Sequence, residues 1–141
     1  MSSNQNTTNG QRFFEDMLGK ANWDLANEIL APEIIMHHPS SPQPVAGVKN
    51  VVGFLGAFRE GFPDMNMKVE FTFGEGEMVA VRWQMSGTHT AVLFGIPPSG
   101  KSVSVAGISL LRFSDGKVVE DWVSEDSLGL MQQIGVIPTT G

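Results

Sequence analysis

The sequence predicts an α+β domain, and three observations predict it. Apolar residues recur at helical spacing between Gln11 and Phe62. They recur with period two between Lys68 and Glu125, and turn residues separate those runs into a meander of long strands. A capped helical pattern then closes the chain after Asp126.

Residues 1–9 are polar and low in complexity, which predicts a flexible N-terminus ahead of a single domain over residues 10–141. Phe13, Phe14, Met17, Leu18 and Ala21 form the apolar stripe of a first helix. Asn22 or Asp24 can cap a short second helix that buries Leu25, Ala26, Ile29 and Leu30, with Pro32 as its stop. Ile34, Ile35 and Met36 lead into His37-His38-Pro39 as a short strand, followed by a Pro- and Ser-rich loop up to Gly47. Val48, Val51, Val52, Leu55, Phe58 and Phe62 give the third helix its face, with Gly61 as a C′ residue and Pro63 as a stop.

In the second half, Val69, Phe71 and Phe73 alternate with polar residues up to a hairpin turn at Gly74-Glu75-Gly76-Glu77. The return strand carries Val79, Val81, Trp83 and Met85 on one face and Arg82, Gln84 and Ser86 on the other. A loop punctuated by Pro97-Pro98 and Gly100 precedes a strand from Ser102 to Phe113, an Asp115-Gly116 turn, and a strand from Val118 to about Glu125.

Composition excludes several functions. The net charge of −6 and the lack of any cluster of three basic residues argue against nucleic acid, and no basic amphipathic helix suits a membrane surface. Cysteine is absent, which removes disulfides, thiolate nucleophiles and Cys-based zinc sites. The polar N-terminus lacks the apolar core of a signal peptide, so a cytoplasmic location is expected. The three histidines show no metal-binding spacing, and no phosphate loop, dinucleotide fingerprint or nucleophile elbow occurs, so neither metal nor cofactor is expected. Eight methionines suit an adaptable apolar interior, as core filler or as the lining of a pocket.

Three stretches carry a resemblance: GFPDMNMKVE, GTHTAVLFGIPPSGKSV and DGKVVEDWVSEDSLGLMQQIG. Together, over roughly Phe13 to Pro138, the chain resembles the SnoaL-like polyketide cyclases, or ester cyclases. The resemblance implies a nuclear-transport-factor-2-like (NTF2-like) cone. Three N-terminal helices would pack on a curved antiparallel sheet, with a short C-terminal helix, and two copies would form a homodimer. It also implies cofactor-free chemistry in a deep pocket, the founding members closing a ring by intramolecular aldol condensation on anthracycline-type polyketides. The acid/base aspartate of those cyclases falls on Val123, and the histidine and glutamine that assist it fall on Ser109 and Gly107. The aldol machinery is therefore not reproduced residue for residue.

Asp121 is the leading acid/base candidate, because positions two apart on a strand share a face and Asp121 would look into the pocket with Val123. Its alternative is an ion pair with Arg82 or Arg112. Of His37 and His38, only one can face inward; His37 fits the family pattern better and is the second catalytic candidate, with His38 in the substrate-binding set. His89 would cover the pocket mouth or stabilise its own loop. Gln84, Gly107, Ser109, Val123, Phe54 and Phe58 complete the expected substrate-binding set, Ser109 or Gln84 steadying an enolate and the phenylalanines stacking on a flat ligand or serving as core. Trp122 and Glu120 face away by parity, and Asp126 reads as a helix cap.

Two functions fit these residues. One is a cofactor-independent cyclase or isomerase of a polyketide-like carbonyl compound, with Asp121 moving a proton α to the carbonyl, or with the pocket alone folding a substrate that closes by itself. The other is a non-catalytic NTF2-like module that binds a small hydrophobic ligand. The charge state inside the pocket separates them.

Overall fold

The structure, a computed structural model, describes residues 3–139. Helix α1 (Ser3–Arg12) continues into a π-helical segment (Phe13–Leu18). A 3₁₀ turn (Trp23–Leu25) and the one-turn helix α2 (Ala26–Ile29) lead into strand β1 (Leu30–His37), the short strand β2 (Val45–Ala46) and helix α3 (Val48–Glu60). The long strands are β3 (Asn66–Glu75), β4 (Met78–Thr88), β5 (Ser102–Ser114) and β6 (Lys117–Glu125), and α4 (Ser127–Gln133) ends the described fold. Among the described residues, the strands form one six-stranded sheet in the order β2-β1-β6-β5-β4-β3.

The meander from β3 to β6 is antiparallel as expected, but the sheet is mixed, because β1 runs parallel to β6. That pairing is what brings the end of β1, and the histidines that follow it, beside β6. Pro32 does not end a helix: it lies inside β1, where the register against β6 shifts between Leu30 and Ile35. A residue without an N–H is accommodated at such an irregularity, where the ladder is already interrupted.

The N-terminus departs from expectation. Met1 and Ser2 lie outside the described residues, but Ser3–Arg12 is helical rather than frayed. Asn6 and Gly10 are its inward anchors: Asn6 is buried, and Gly10 lets the helix come close to Val79, Val81 and Leu111. The π segment follows because its wider turn sets Phe13, Phe14, Met17 and Leu18 all inward, with the two phenylalanine rings stacked at 4.6 Å. Arg59 of α3 donates to the carbonyls of Leu18 and Gly19 at 3.0 and 3.2 Å, satisfying the orphan acceptors at that helix end.

Gly61 is not the left-handed cap that sequence suggests, since its φ is −67°. It is small for another reason: a Cβ there would sit 2.9 Å from Cβ of Leu93, so glycine allows the loop after β4 to pack against the end of α3. Asp126 does cap α4, accepting the Gly129 N–H at 2.9 Å.

The core lies between the inner face of the sheet and the helices. On β3 the inner set is not the expected one. The register against β4 slips between Val69 and Phe71, so Glu70 is an extra residue that reverses the parity of the strand. Phe71 and Phe73 consequently lie exposed on the outer face, two strands from the exposed Ile108 and Leu110, their rings 5.6 Å apart.

Candidate active site

Three structural layers converge on one enclosed space. The π segment contributes Phe13, Phe14 and Leu18, and α3 contributes Leu55 and Phe58. From the sheet come Trp83 and Met85 of β4, Val105 and Ser109 of β5, and Asp121, Val123 and Glu125 of β6, with Met65, Met67 and His38 closing the rest. The cavity measures about 40 Å³, room for only a few waters. A shallow groove of about 390 Å³, walled by His37, Pro39 and the loop from Ser41 to Pro44, adjoins it and shares His38 and Val123 as walls.

Asp121 has the inward position that strand parity assigns. It is 1% exposed, its Oδ1 is buried without a hydrogen-bond partner, and its strand neighbours are Leu111 on β5 and Met36 on β1. Burial pushes its carboxyl up to about 8, because the charged form is desolvated and nothing nearby compensates it. The alternative ion pair does not form. Arg82 pairs with Glu70 at 3.2 Å and Arg112 with Glu120 at 2.9 Å, both on the far side of the sheet.

The two histidines divide in the reverse of the expected way. His37 is on the outer side, where Nε2 meets Glu120 at 2.7 Å and the ring stacks on Trp122 at 5.7 Å. That contact, and then Arg112, hold the Glu120 carboxyl below its ordinary range. His37 pairs with Trp122 across β1 and β6, so it shares the outward parity of Trp122; it does not reach the inner cavity with Asp121 and lines only the adjoining groove. His38 turns inward. It is 8% exposed, with Nε2 at 2.9 Å from Glu125 Oε1 and its ring against Phe54 and Phe58 at 4.8 and 6.4 Å. The Ser40 N–H donates to its Nδ1 at 3.1 Å, so the ring proton resides on Nε2, the nitrogen nearest Glu125.

Glu125 was missed in sequence. Counting onward by two from Asp121 and Val123 reaches it, so the same parity rule held the signal.

The remaining candidates separate cleanly. Ser109 and Val123 line the cavity, and Ser109 Oγ accepts the Trp83 indole N–H at 3.1 Å. Gly107 does not line it; its missing side chain makes room for Trp83. Gln84 is on the outer face, bonded to Ser104 Oγ at 2.6 Å, as its alternation with Trp83 requires. His89 is fully buried but serves its loop: its Nδ1 accepts the Ser99 N–H at 3.1 Å. Phe58 lines the cavity, whereas Phe54 stands one layer back, between His38 and the half-exposed Phe94. Among the described residues, no group of three or more acidic or histidine side chains could hold a metal ion.

Helices packed on one face of a curved sheet, around a buried acid whose Oδ1 has no hydrogen-bond partner, define a small domain of the NTF2-like class. The chain belongs to the SnoaL-like polyketide cyclase family, whose model matches residues 8–134. It is 31% identical over 110 residues to the aklanonic acid methyl ester cyclase DnrD of Streptomyces peucetius, covering 77% of this chain and 72% of that one. A solved structure from Jannaschia sp. CCS1, described as a SnoaL-like polyketide cyclase, superposes with a TM-score of 0.87 at 31% identity, covering 96% of this chain and 95% of that one. AclR from Streptomyces galilaeus, described as a hydroxylase, superposes with a TM-score of 0.85 at 24% identity, covering 99% and 87%. One fold thus carries proteins described by different reactions, and the reaction has to be argued from the site.

Proposed function

We propose that this protein is a cofactor-independent cyclase or isomerase of a polyketide-like carbonyl compound, with Asp121 as a proton-exchanging carboxyl at the reacting end of the substrate. The observation that carries the reading is Asp121 itself, a carboxyl with a buried, unpartnered oxygen in an apolar cavity. Such a group adds no ion pair to the fold and is costly to bury, so its natural use is chemical. The family membership and the named activity of the Streptomyces peucetius relative support the same class of substrate. The Val123 position, where the aldol cyclases carry their aspartate, lies on the same strand face as Asp121, about 7 Å along the strand. Only the reacting end of a substrate fits the inner cavity. The adjoining groove has room for the rest, with His38 and Val123 at the passage between them.

The test is deuterium exchange at the α-carbon of 2-tetralone, a flat neutral ketone, in D₂O. The protein should accelerate exchange, and Asp121→Asn should lower that acceleration by about 100-fold or more. Equal rates in the two proteins would remove Asp121 from the chemistry.

The same reading includes a homodimer formed through the outer sheet face, where Ile35, Phe71, Phe73, Ile108 and Leu110 are exposed. Sedimentation at micromolar concentration should give twice the 15.3 kDa chain mass. Ile108→Arg should return it to the monomer mass, and a wild type that sediments as a monomer would count against the dimer.

A further inference from the structure

We propose that Glu125 is a second catalytic carboxylate, acting as the base while Asp121 serves as the acid, and that His38 is the residue that positions it. This deepens the reading above and rests on it.

The geometry assigns the roles. Glu125 has a side chain 3% exposed and lines the cavity that Asp121 lines. Its Oε1 lies 2.9 Å from His38 Nε2, and the Ser40 N–H fixes the ring proton on Nε2 by occupying Nδ1. His38 thus sets its protonated nitrogen beside Glu125 and has no free nitrogen with which to act as a base. Glu125 keeps its second oxygen for another partner. Asp121, by contrast, has no donor at its buried oxygen, and burial favours its neutral form up to about pH 8. Two carboxyl groups in one cavity, one beside a histidine N–H and one without a partner at its buried Oδ1, can divide into a base and an acid.

Spacing permits both to reach one substrate. Asp121 and Glu125 are four residues apart on one strand face, about 13 Å along the strand. A ketone held by its oxygen at one carboxyl and its α-carbon at the other requires about 8 Å between them, so the proposal requires the two side chains to lean toward each other along the strand. Val123, the intervening residue on that face, presents no polar group to compete.

The step balances without a co-reactant. The Glu125 carboxylate takes the α-proton, and the C–H electron pair becomes the C=C bond of an enol. The carbonyl π pair moves to oxygen, which takes the Asp121 proton. The products are a neutral enol, protonated Glu125 and ionised Asp121. Attack of the enol carbon on a second carbonyl then forms the C–C bond, and the protons return to the new hydroxyl and to Asp121.

The titratable groups sharing the cavity with Asp121 are His38 and Glu125. Leu111 of β5, Met36 of β1 and the π segment's Phe13 and Phe14 bring no charge. If Asp121 is the acid, exchange should fall as pH rises through about 8; if it were the base, exchange would rise there.

Exchange of 2-tetralone is therefore measured between pH 5.5 and 9.5 in the wild type and in Glu125→Gln, His38→Gln and His38→Phe, with Arg82→Gln as the outer-face control and thermal melting of each. Glu125→Gln should lose about 100-fold or more. His38→Gln, which retains an N–H donor, should stay within about tenfold, and His38→Phe should fall toward Glu125→Gln. The wild-type rate should decline above pH 8. If Glu125→Gln fails to fold, the His38 pair and the pH limb decide. Exchange within threefold of wild type in Glu125→Gln and His38→Phe, or a rate that climbs through pH 8 and depends on Asp121, would overturn the division of roles while leaving the proposed function standing. A wild type that does not accelerate exchange at all would overturn both.

Discussion

Replacing Asp121 with Asn should abolish a pH dependence of stability on the order of 5 kcal/mol between pH 4 and pH 8. The unfolded chain releases the Asp121 proton near its ordinary 3.8, whereas the folded protein holds it up to about 8. Between those values the native state binds one proton more than the unfolded state, so stability falls as pH rises, by about 1.4 kcal/mol per unit. The contribution is complete below the unfolded value and lost once pH has passed the folded one. Asparagine has no proton to lose. The wild type and Asp121→Asn should therefore match near pH 4 and diverge steadily, the variant being the more stable at pH 9. Urea denaturation at half-unit pH steps reads the difference directly, and the other titrating groups are common to both proteins. Parallel curves would mean that Asp121 is solvated and would also weaken its chemical role. The expected difference is a large share of the 5–15 kcal/mol typical of a whole domain (about a third or more). A group that destabilises the fold this much at alkaline pH is one whose retention calls for a functional reason.

The same burial explains why the site was partly legible in sequence. Strand parity is a local rule, and it put Asp121 and Val123 on the inner face and Trp122 and Glu120 on the outer one. It also contained Glu125 and excluded Gln84. Parity failed where the chain inserts a residue: the bulge at Glu70 sends Phe71 and Phe73 outward, and nothing in the alternation announces it. His37 and His38 sit where β1 ends and the chain turns, and their facing is set by pairing with β6, far away in sequence. The buried Asn6 and Gly10 lie in a stretch whose polar composition reads as a tail; that helix is held by packing on β3 and β4, not by its own propensity. The hairpin turns, α3 and the Asp126 cap were legible because each is specified by its own few residues.

Gly107→Ala should destabilise the protein by about 2–3 kcal/mol, although glycine is usually a poor strand residue and alanine a better one. The added methyl would stand 2.3 Å from Cζ2, 2.6 Å from Cη2 and 2.7 Å from Cε2 of Trp83, inside any permitted contact. The indole cannot slide away freely. It stacks near Phe14 at 6.1 Å and donates its N–H to Ser109 Oγ at 3.1 Å, and moving it disturbs both. Thermal melting should show a loss of about 5–10 °C. Trp83→Phe removes the benzo carbons that clash, so the double variant should be more stable than additivity of the single variants allows. An alanine variant as stable as wild type would show that the indole does not lie across Gly107. This pair bears on function as well as on packing. Gly107 and Ser109 stand where the aldol cyclases that the sequence resembles carry their assisting glutamine and histidine. Here the Trp83 ring fills the first of those spaces and occupies the hydroxyl of the second. Trp83→Phe on its own should therefore enlarge the cavity and free Ser109 toward a substrate oxygen, whereas Gly107→Ala disrupts the same wall without providing a usable donor.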